Sequence, residues 1–315
     1  MNPTTYEPIR PKTVLNPVKA PSMPFDWSIN PYRGCQHGCS FCYARSTHAY
    51  MGESADDAFQ KHIFWKQDAP DVLRAQLRRM RGRLPAYVAI GTATDPYQQL
   101  EGKARLTRGC LETLAEFGVP ASITTRSPLV LRDLDLLQRI PGSSVNISLH
   151  MLDPDVWRNF EPSTPAPRLR LDAVRRLNEA GIKAGVFMAP ILPYISDGEE
   201  AVEGLLDACQ QADAAFVSPS YLRLSTPEVK SWFFQTLQEA YPEHVKAYGR
   251  LYWRAAYVPE AYRKPKLEWI RRQIQARGLR SQELAAIRSP KPAADVPNAS
   301  ALSPADDGPV QLTLF

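Results

Sequence analysis

Short apolar runs alternate with longer amphipathic segments along most of the chain. The short runs are rich in β-branched and aromatic residues, which is typical of strands buried in a parallel sheet; they lie at 87–91, 121–125, 144–149, 184–189 and 214–218. The longer segments repeat apolar residues every three or four positions, which predicts helices; they lie at 105–117, 130–139, 168–180, 199–211 and 226–241. This alternation predicts an α/β fold.

Glycines mark the ends of three of the predicted helices. Gly118, Gly142 and Gly181 lie just past them, where helices commonly stop. The run 27–30 adds a sixth strand before the others. Because a complete barrel of this kind has eight β/α units, the pattern predicts a partial, TIM-like (β/α)6 barrel with its chemistry at the carboxyl ends of the strands.

The remaining segments flank this predicted core of residues 27–241. Residues 1–26 are rich in proline and have no sustained period, which indicates an extended N-terminal arm. Within the core, residues 71–81 have helical spacing and several arginines, which we interpret as a solvated helix face. Residues 242–288 are expected to form a C-terminal helical extension. Residues 289–310 contain five prolines and no aromatic residue, which predicts a disordered linker.

Composition restricts the class of protein only mildly. The 315 residues are 44% hydrophobic and 23% charged, as in ordinary globular proteins. There is no run of 18 apolar residues and no signal-peptide pattern, so we expect neither a membrane span nor secretion. Clustered thiols without a disulfide framework favour the cytoplasm. The net charge of +5 permits a nucleic-acid partner without requiring one.

The clearest chemical signal is a group of three cysteines, Cys35, Cys39 and Cys42, in the spacing C-x3-C-x2-C. Three thiolates so close together are most simply ligands of one soft metal centre. They leave a fourth position open, which His37 or a distant residue would fill if the metal were zinc. We interpret the other two cysteines, Cys110 and Cys209, as small core residues because each stands alone in an apolar helical pattern.

With Phe41 between the second and third cysteines, this motif resembles the signature of the radical S-adenosylmethionine (SAM) superfamily. Further segments resemble its spore photoproduct lyase-like branch: TDPYQQLE at 94–101, TTRS at 124–127, FEPSTP at 160–165 and the AGI to MAPILP region at 180–193. The likeness extends over residues 25–285. It implies a partial barrel of the radical SAM type in which Met188 to Pro190 pack on adenine.

The resemblance implies two cofactors. Cys35, Cys39 and Cys42 would bind three irons of a [4Fe-4S] cluster, and SAM would chelate the fourth. An electron from a donor such as flavodoxin or ferredoxin would then cleave SAM to methionine and a 5'-deoxyadenosyl radical. The resemblance also implies that Thr94 and Asp95 would receive the SAM ammonium group.

Four more residues are expected at the SAM site. Arg126 in TTRS would bind the SAM carboxylate, since a guanidinium can grip a carboxylate through two hydrogen bonds. Ser148 and Glu161 are expected to contact the ribose or the carboxylate. Relatives often carry an arginine where this chain has Ser163, and we expect Arg168 to supply that charge. His150, at the end of the same strand as Ser148, is expected to be hydrogen-bonded within the protein.

The resemblance also suggests a substrate. Photoproduct lyases return hydrogen to the product radical from a cysteine that follows the second strand, but this chain has Thr92 there. Repair of thymine dimers themselves is therefore in doubt, and we expect a nucleic acid as substrate without specifying the lesion. One alternative is a radical SAM enzyme that acts on a peptide or small molecule. Another is a zinc-stabilised nucleic-acid-binding protein without catalytic activity.

Two C-terminal features bear on partners. Residues 248–272 interleave aromatic residues with arginines and lysines, which fits either a single-strand binding platform or a helical layer that closes the barrel. We favour the helical layer. The last five residues, QLTLF, resemble the peptide by which bacterial repair and replication proteins bind the DNA sliding clamp. Clamp binding would use Gln311, Leu312, Leu314 and Phe315.

Overall fold

The computed structural model describes residues 3–19, 23–80 and 82–281. The predicted linker and clamp-binding peptide lie outside these residues. The described residues form ten strands: β1 (Thr5–Ile9), β2 (Leu15–Pro17), β3 (Trp27–Ile29), β4 (Tyr32–Arg33), β5 (His62–Lys66), β6 (Val88–Ile90), β7 (Ala121–Thr125), β8 (Ser144–Ser148), β9 (Lys183–Ile191) and β10 (Val217–Tyr221).

The same residues form eleven α-helices: α1 (Ala58–Lys61), α2 (Ala69–Arg79), α3 (Glu101–Ala104), α4 (Leu106–Phe117), α5 (Leu134–Arg139), α6 (Pro154–Phe160), α7 (Pro167–Glu179), α8 (Glu199–Gln211), α9 (Pro227–Ala240), α10 (Val245–Leu251) and α11 (Glu260–Ala276). There are also three short 3-10 segments: Tyr43–Met51, Pro128–Asp133 and Pro242–His244. None of the described helices is long and apolar enough to cross a membrane.

The main sheet confirms the predicted α/β fold. Its strand order is β10-β9-β8-β7-β6-β3-β2, and all neighbours are parallel except β2 and β3. Each of the six parallel strands overlaps a predicted run, although β10 begins three residues later than the run at 214–218. Their inward side chains are fully buried, as at Ile90, Ile123 and Val186. Because these six strands are parallel, their carboxyl ends share one edge of the sheet.

The predicted helices are present, with one difference in kind. The segment predicted as a helix at 130–139 begins as the 3-10 turn Pro128–Asp133 and becomes α-helical only in α5. Ser127 caps this turn by accepting a hydrogen bond from the Leu129 backbone N–H, an arrangement typical of helix starts. The shorter helices α1, α3, α6 and α10 have too few turns for a periodic pattern to reveal them.

The N-terminal arm contributes strands to two sheets. β2 pairs antiparallel with β3 at one end of the main sheet, and β1 pairs parallel with β5 in a small second sheet of order β1-β5-β4. Gln76 on α2 anchors the arm, because its side-chain oxygen accepts from the backbone N–H groups of Val14 and Leu15. The arm therefore covers the edge of β3, which would otherwise offer unpaired backbone groups.

The C-terminal helices pack against the opposite end of the sheet. Tyr248 and Tyr252 are fully buried there, and their hydroxyls donate to the backbone oxygens of Pro193 and Leu222. The far end of this region pairs with the first residue of β10, where the Val217 N–H donates to the Arg280 carbonyl over 2.8 Å. A layer of helices thus covers β9 and β10.

Candidate metal and cofactor site

The cysteine loop is shaped by two glycines with left-handed backbone conformations. Gly34 has a φ of +77° and Gly38 a φ of +64°. A Cβ on Gly34 would lie 2.9 Å from the carbonyl oxygens of Phe59 and His62, so only glycine fits. The Cys35 N–H donates to Phe59 O over 2.8 Å, which holds the start of the loop against α1.

All three cysteines of the loop have free thiols. Cys35 and Cys39 are buried, and Cys42 is half-buried. Burial raises the pKa of the Cys39 thiol to about 12 even though the charge of Arg126 opposes this, so without further positive charge this thiol stays protonated. A metal centre supplies that charge and favours the thiolate form. The donor set therefore fits a metal-binding role.

The zinc alternative depends on His37 or a distant residue as the fourth ligand. Among the described residues, no group of three or more His, Cys, Asp or Glu side chains is placed to hold one ion. His37, the fourth ligand of the zinc alternative, instead lies with Nδ1 3.1 Å from Asp95 Oδ2. A cluster of several irons is larger than one ion, so its thiolates need not converge on a single point.

Arg45 holds the cysteine loop through hydrogen bonds to its backbone, a role that the sequence analysis missed. Its side chain is fully buried and donates to the carbonyls of Gly38 and Cys39 over 3.1 Å and to that of Asp56 over 2.7 Å. Its guanidinium also lies 4.6 Å from the ring centroid of Trp232 on α9. Arg45 therefore ties the cysteine loop to the last helix of the core.

Thr94, after β6, is buried against the cysteine loop. Its hydroxyl donates to Gly34 O over 2.6 Å and accepts from Gln98 Nε2 over 3.1 Å. Asn30 donates to the Thr92 hydroxyl over 2.9 Å. Thr92, which lies where the lyases carry a cysteine, is therefore part of a contact between two loops. These bonds fix the loop after β6 next to the cysteines.

Asp95 connects the ends of three segments. Its Oδ1 accepts from the Thr125 hydroxyl over 2.6 Å, and its Oδ2 accepts from the Arg126 backbone N–H over 2.7 Å and lies near His37. Burial opposes ionisation of this carboxyl, but His37 and the Thr125 hydroxyl outweigh it and lower the pKa of Asp95 to about 2. Asp95 is thus a buried carboxylate that joins the loops after β6 and β7 to the cysteine loop.

Glu161 lies between two arginines in the interior of the site. Its Oε1 accepts from Arg126 Nε over 2.7 Å, and its Oε2 lies 2.6 Å from Arg170 NH2. Burial disfavours the charged form, but Arg170 and Arg126 outweigh it and lower the pKa of Glu161 below its usual range. Arg170 also donates to the Ser148 carbonyl over 3.0 Å. The network thereby joins the loop after β7, the end of β8 and helix α7.

Arg168 does not take part in this network. It is exposed, whereas Arg170 on the same helix is fully buried. Residues two apart on a helix face different directions, so only one of the two arginines can reach Glu161. The sequence analysis expected Arg168 to replace the arginine that relatives carry at Ser163, but the sequence did not show which face of α7 points toward Glu161.

His150 corrects a further expectation. It lies just past β8 and is buried, but neither ring nitrogen has a hydrogen-bond partner. Nδ1 is 3.6 Å from Glu161 Oε1, too far for a good hydrogen bond. Burial, together with Arg126 and Arg170, lowers the pKa of His150 to about 4. The prediction that His150 is bonded within the protein is wrong, and its two nitrogens are suited to a ligand.

Comparisons with known proteins agree with this geometry. The family model described as "Radical SAM superfamily" matches residues 29–206. An uncharacterized protein of Mycobacterium tuberculosis is 38% identical over 265 residues, which is 82% of this chain and 77% of that protein. A solved spore photoproduct lyase variant is similar in fold, with a TM-score of 0.63 at 19% identity over 86% of this chain and 79% of the lyase.

A second solved variant of the lyase contains bound AdoMet and dinucleoside spore photoproduct. Its TM-score is 0.60 at 18% identity, over 86% of this chain and 78% of that chain. At this level of identity the likeness concerns the fold. It agrees with the parallel sheet.

Proposed function

The chain belongs to the radical SAM superfamily, and from this premise we propose that it is an enzyme that uses the cysteine loop to modify a nucleic acid. The cofactors of the superfamily are a [4Fe-4S] cluster and SAM. When bound, they supply one-electron cleavage of the sulfonium carbon–sulfur bond to methionine and a 5'-deoxyadenosyl radical, which abstracts hydrogen from the substrate. Cys35, Cys39 and Cys42 would hold the cluster.

The observation that carries this proposal is the placement of the three free thiols. They lie on a loop with glycine turns at the shared carboxyl edge of the parallel strands, next to a buried histidine without a partner. Active sites of α/β barrels lie at this edge. A loop that served only the fold would not need three thiols beside a charged interior.

Arg126 is the residue best placed to bind the SAM carboxylate. Its Nε is used by Glu161, while no bond within the described residues occupies its two terminal nitrogens. In this proposal Glu161 and Arg170 orient Arg126, and Ser148 fixes Arg170 through its carbonyl. The terminal nitrogens are then free to form a bidentate pair with a carboxylate.

Thr94 and Asp95 are proposed to act mainly by positioning. Their polar atoms are already bonded to the cysteine loop and to the loop after β7. They keep these two loops at a constant separation and so define the space that SAM occupies. His150, which has no protein partner, is proposed to donate to or accept from a polar atom of SAM or of the substrate.

Metal analysis tests the cluster proposal. Oxygen-free protein is expected to be brown and to contain about four irons per chain, and adding SAM should change its electron paramagnetic resonance spectrum. Replacing Cys35, Cys39 and Cys42 with alanine should abolish iron binding. Replacing Cys110 and Cys209, which are buried on α4 and α8 and do not belong to the loop, is the matched control. A colourless chain with one zinc would contradict the proposal.

Product analysis tests the substrate class. The support for a nucleic acid is the fold shared with a lyase that binds a dinucleoside photoproduct. We expect formation of 5'-deoxyadenosine to rise when single-stranded or damaged DNA is added to the reduced enzyme. A rise with peptides and none with nucleic acids would support the peptide alternative instead.

We also propose, from the sequence alone, that the last five residues bind the sliding clamp. The support is the match of Gln311, Leu312, Leu314 and Phe315 to the clamp-binding pattern. A pull-down with purified clamp should recover the full chain and lose a chain that ends at Val310. Equal recovery of the two would remove this proposal.

A further inference from the structure

A group of cations and exposed aromatic rings lies beyond the core of the site. We call it the basic aromatic surface. Arg223 follows β10, Lys246 and Arg250 lie on α10, and Trp253 follows α10. Tyr257 precedes α11, and Arg263 lies in its first turns.

Arg223 connects this surface to the functional edge. It lies two residues past the end of β10, and its neighbours are fixed because the Leu222 N–H donates to Ile191 O and the Leu224 N–H donates to Ala256 O. Its Nε is buried and has no hydrogen-bond partner. A ligand with an acceptor atom would satisfy that donor.

The aromatic members face outward. Trp253 is 76% exposed and Tyr257 is 42% exposed. The Tyr257 ring lies near two guanidiniums. Its centroid is 5.5 Å from Arg223 Cζ and 5.6 Å from Arg263 Cζ. Trp253 lines a surface cavity of about 460 Å³ together with Lys246 and Arg250. Inward packing of the extension therefore explains Tyr248 and Tyr252 but not these two rings.

The cations of the surface differ from those of ordinary solvated helix faces. Arg74, Arg108 and Arg175 elsewhere in the chain each form an ion pair with an acidic neighbour. Arg223 and Arg263 have no such ion pair within the described part of the chain. Their positive charge is therefore available to an external anion.

We propose that the basic aromatic surface binds single-stranded nucleic acid and guides it to the site. Trp253 and Tyr257 stack on bases, and the four cations contact phosphates. A single strand fits better than a duplex, because exposed rings can stack only on bases that are not already paired within a helix. This proposal rests on the proposed function, since it specifies the form in which a nucleic-acid substrate is bound.

Fluorescence anisotropy with a labelled 20-nucleotide oligo(dT) and the full chain tests the proposal. Trp253→Ala and Tyr257→Ala are each expected to weaken binding about tenfold, as loss of one stacked base does. The double variant Arg223→Gln/Arg263→Gln should also weaken binding and should reduce the slope of log K against log salt by about 0.7 for each lost phosphate contact. The matched control, Arg74→Gln/Arg175→Gln, removes the same charge elsewhere and should bind like the unmodified chain.

Circular dichroism and melting temperature establish that each variant is folded. The proposal is overturned if the surface variants bind as tightly as the control, or if a duplex binds equally well and the aromatic variants have no effect. The measurement needs neither iron nor SAM. Failure to load a cluster would therefore disprove the proposed function and leave this result standing, whereas normal cluster loading without oligonucleotide binding would disprove only this inference.

Discussion

At the scale of single residues, Arg45 has the clearest structural role. Its hydrogen bonds to the backbone carbonyls of Gly38, Cys39 and Asp56 hold the cysteine loop in a buried environment. We expect Arg45→Gln to lower the free energy of unfolding by about 3 kcal/mol or more, because each hydrogen bond from a charged donor contributes about 1.5–3 kcal/mol. Urea denaturation of the metal-free chain measures this change.

The same variant should also bind fewer than four irons per chain, because the loop would no longer be held in one conformation. The exposed and ion-paired Arg74 provides the comparison. We expect Arg74→Gln to change the stability by no more than about 0.5 kcal/mol. Similar losses in both variants would contradict the role assigned to Arg45.

Lys66 in β5 is a buried cation that weakens the fold. Burial, with a contribution from Arg33, lowers the pKa of Lys66 to about 8. Between pH 8 and its usual pKa of about 10.4 the unfolded chain binds a proton that the folded chain does not, so stability from this group rises with pH. We expect Lys66→Met to stabilise the protein by about 2 kcal/mol at pH 7 and by much less at pH 10.

Urea denaturation of both chains at the two pH values measures that difference directly. Other groups also titrate in this range, but they do so in both chains and cancel in the comparison. A stability difference that is independent of pH would show that Lys66 is not the titrating group.

At the scale of elements, helix α7 carries two arginines with opposite roles. Arg170 pairs with the buried Glu161, whereas Arg168 is exposed. Removing one member of a buried ion pair costs about 3–5 kcal/mol, since the other charge is left uncompensated. We expect Arg170→Gln to cause a loss of this size and Arg168→Gln to be nearly neutral. Thermal denaturation of the pair tests which face of α7 the site uses.

The elements show which parts of the molecule were predictable. The strands of the main sheet were predicted because parallel strands buried on both faces leave continuous apolar runs, as in β7 and β8. β5 was missed because its partners lie far away in sequence, with Thr5 beside His62. No local pattern records such a pairing.

The site, like the fold, was predictable only where its residues are close together in the sequence. The cysteine spacing is local, so it could be recognised directly. The partners of Asp95, which are His37, Thr125 and Arg126, come from segments brought together only by the fold. Arg45 follows Cys42 by three residues, and an arginine so close to clustered thiols was a signal that the sequence offered. Its burial is visible only in the structure.

At the scale of the whole molecule, cofactor binding should be visible as stability. A ligand that binds only the folded state adds about 2.7 kcal/mol at a concentration one hundred times its Kd. We expect SAM to raise the melting temperature of the iron-loaded chain by several degrees. The chain in which alanine replaces Cys35, Cys39 and Cys42 should respond much less, because SAM would lose its metal contact. An equal shift in both chains would mean that SAM binds without the cluster.

The pairing of Val217 with Arg280 has a consequence for assembly. Val217 is the first residue of β10, so this contact lies at the amino ends of the parallel strands. That edge is opposite the one at which the cysteines lie. Residue 281, the last residue that the structure describes, therefore lies at the edge of the sheet opposite the cysteine loop. We expect a partner that binds near this residue to leave the cysteine loop uncovered.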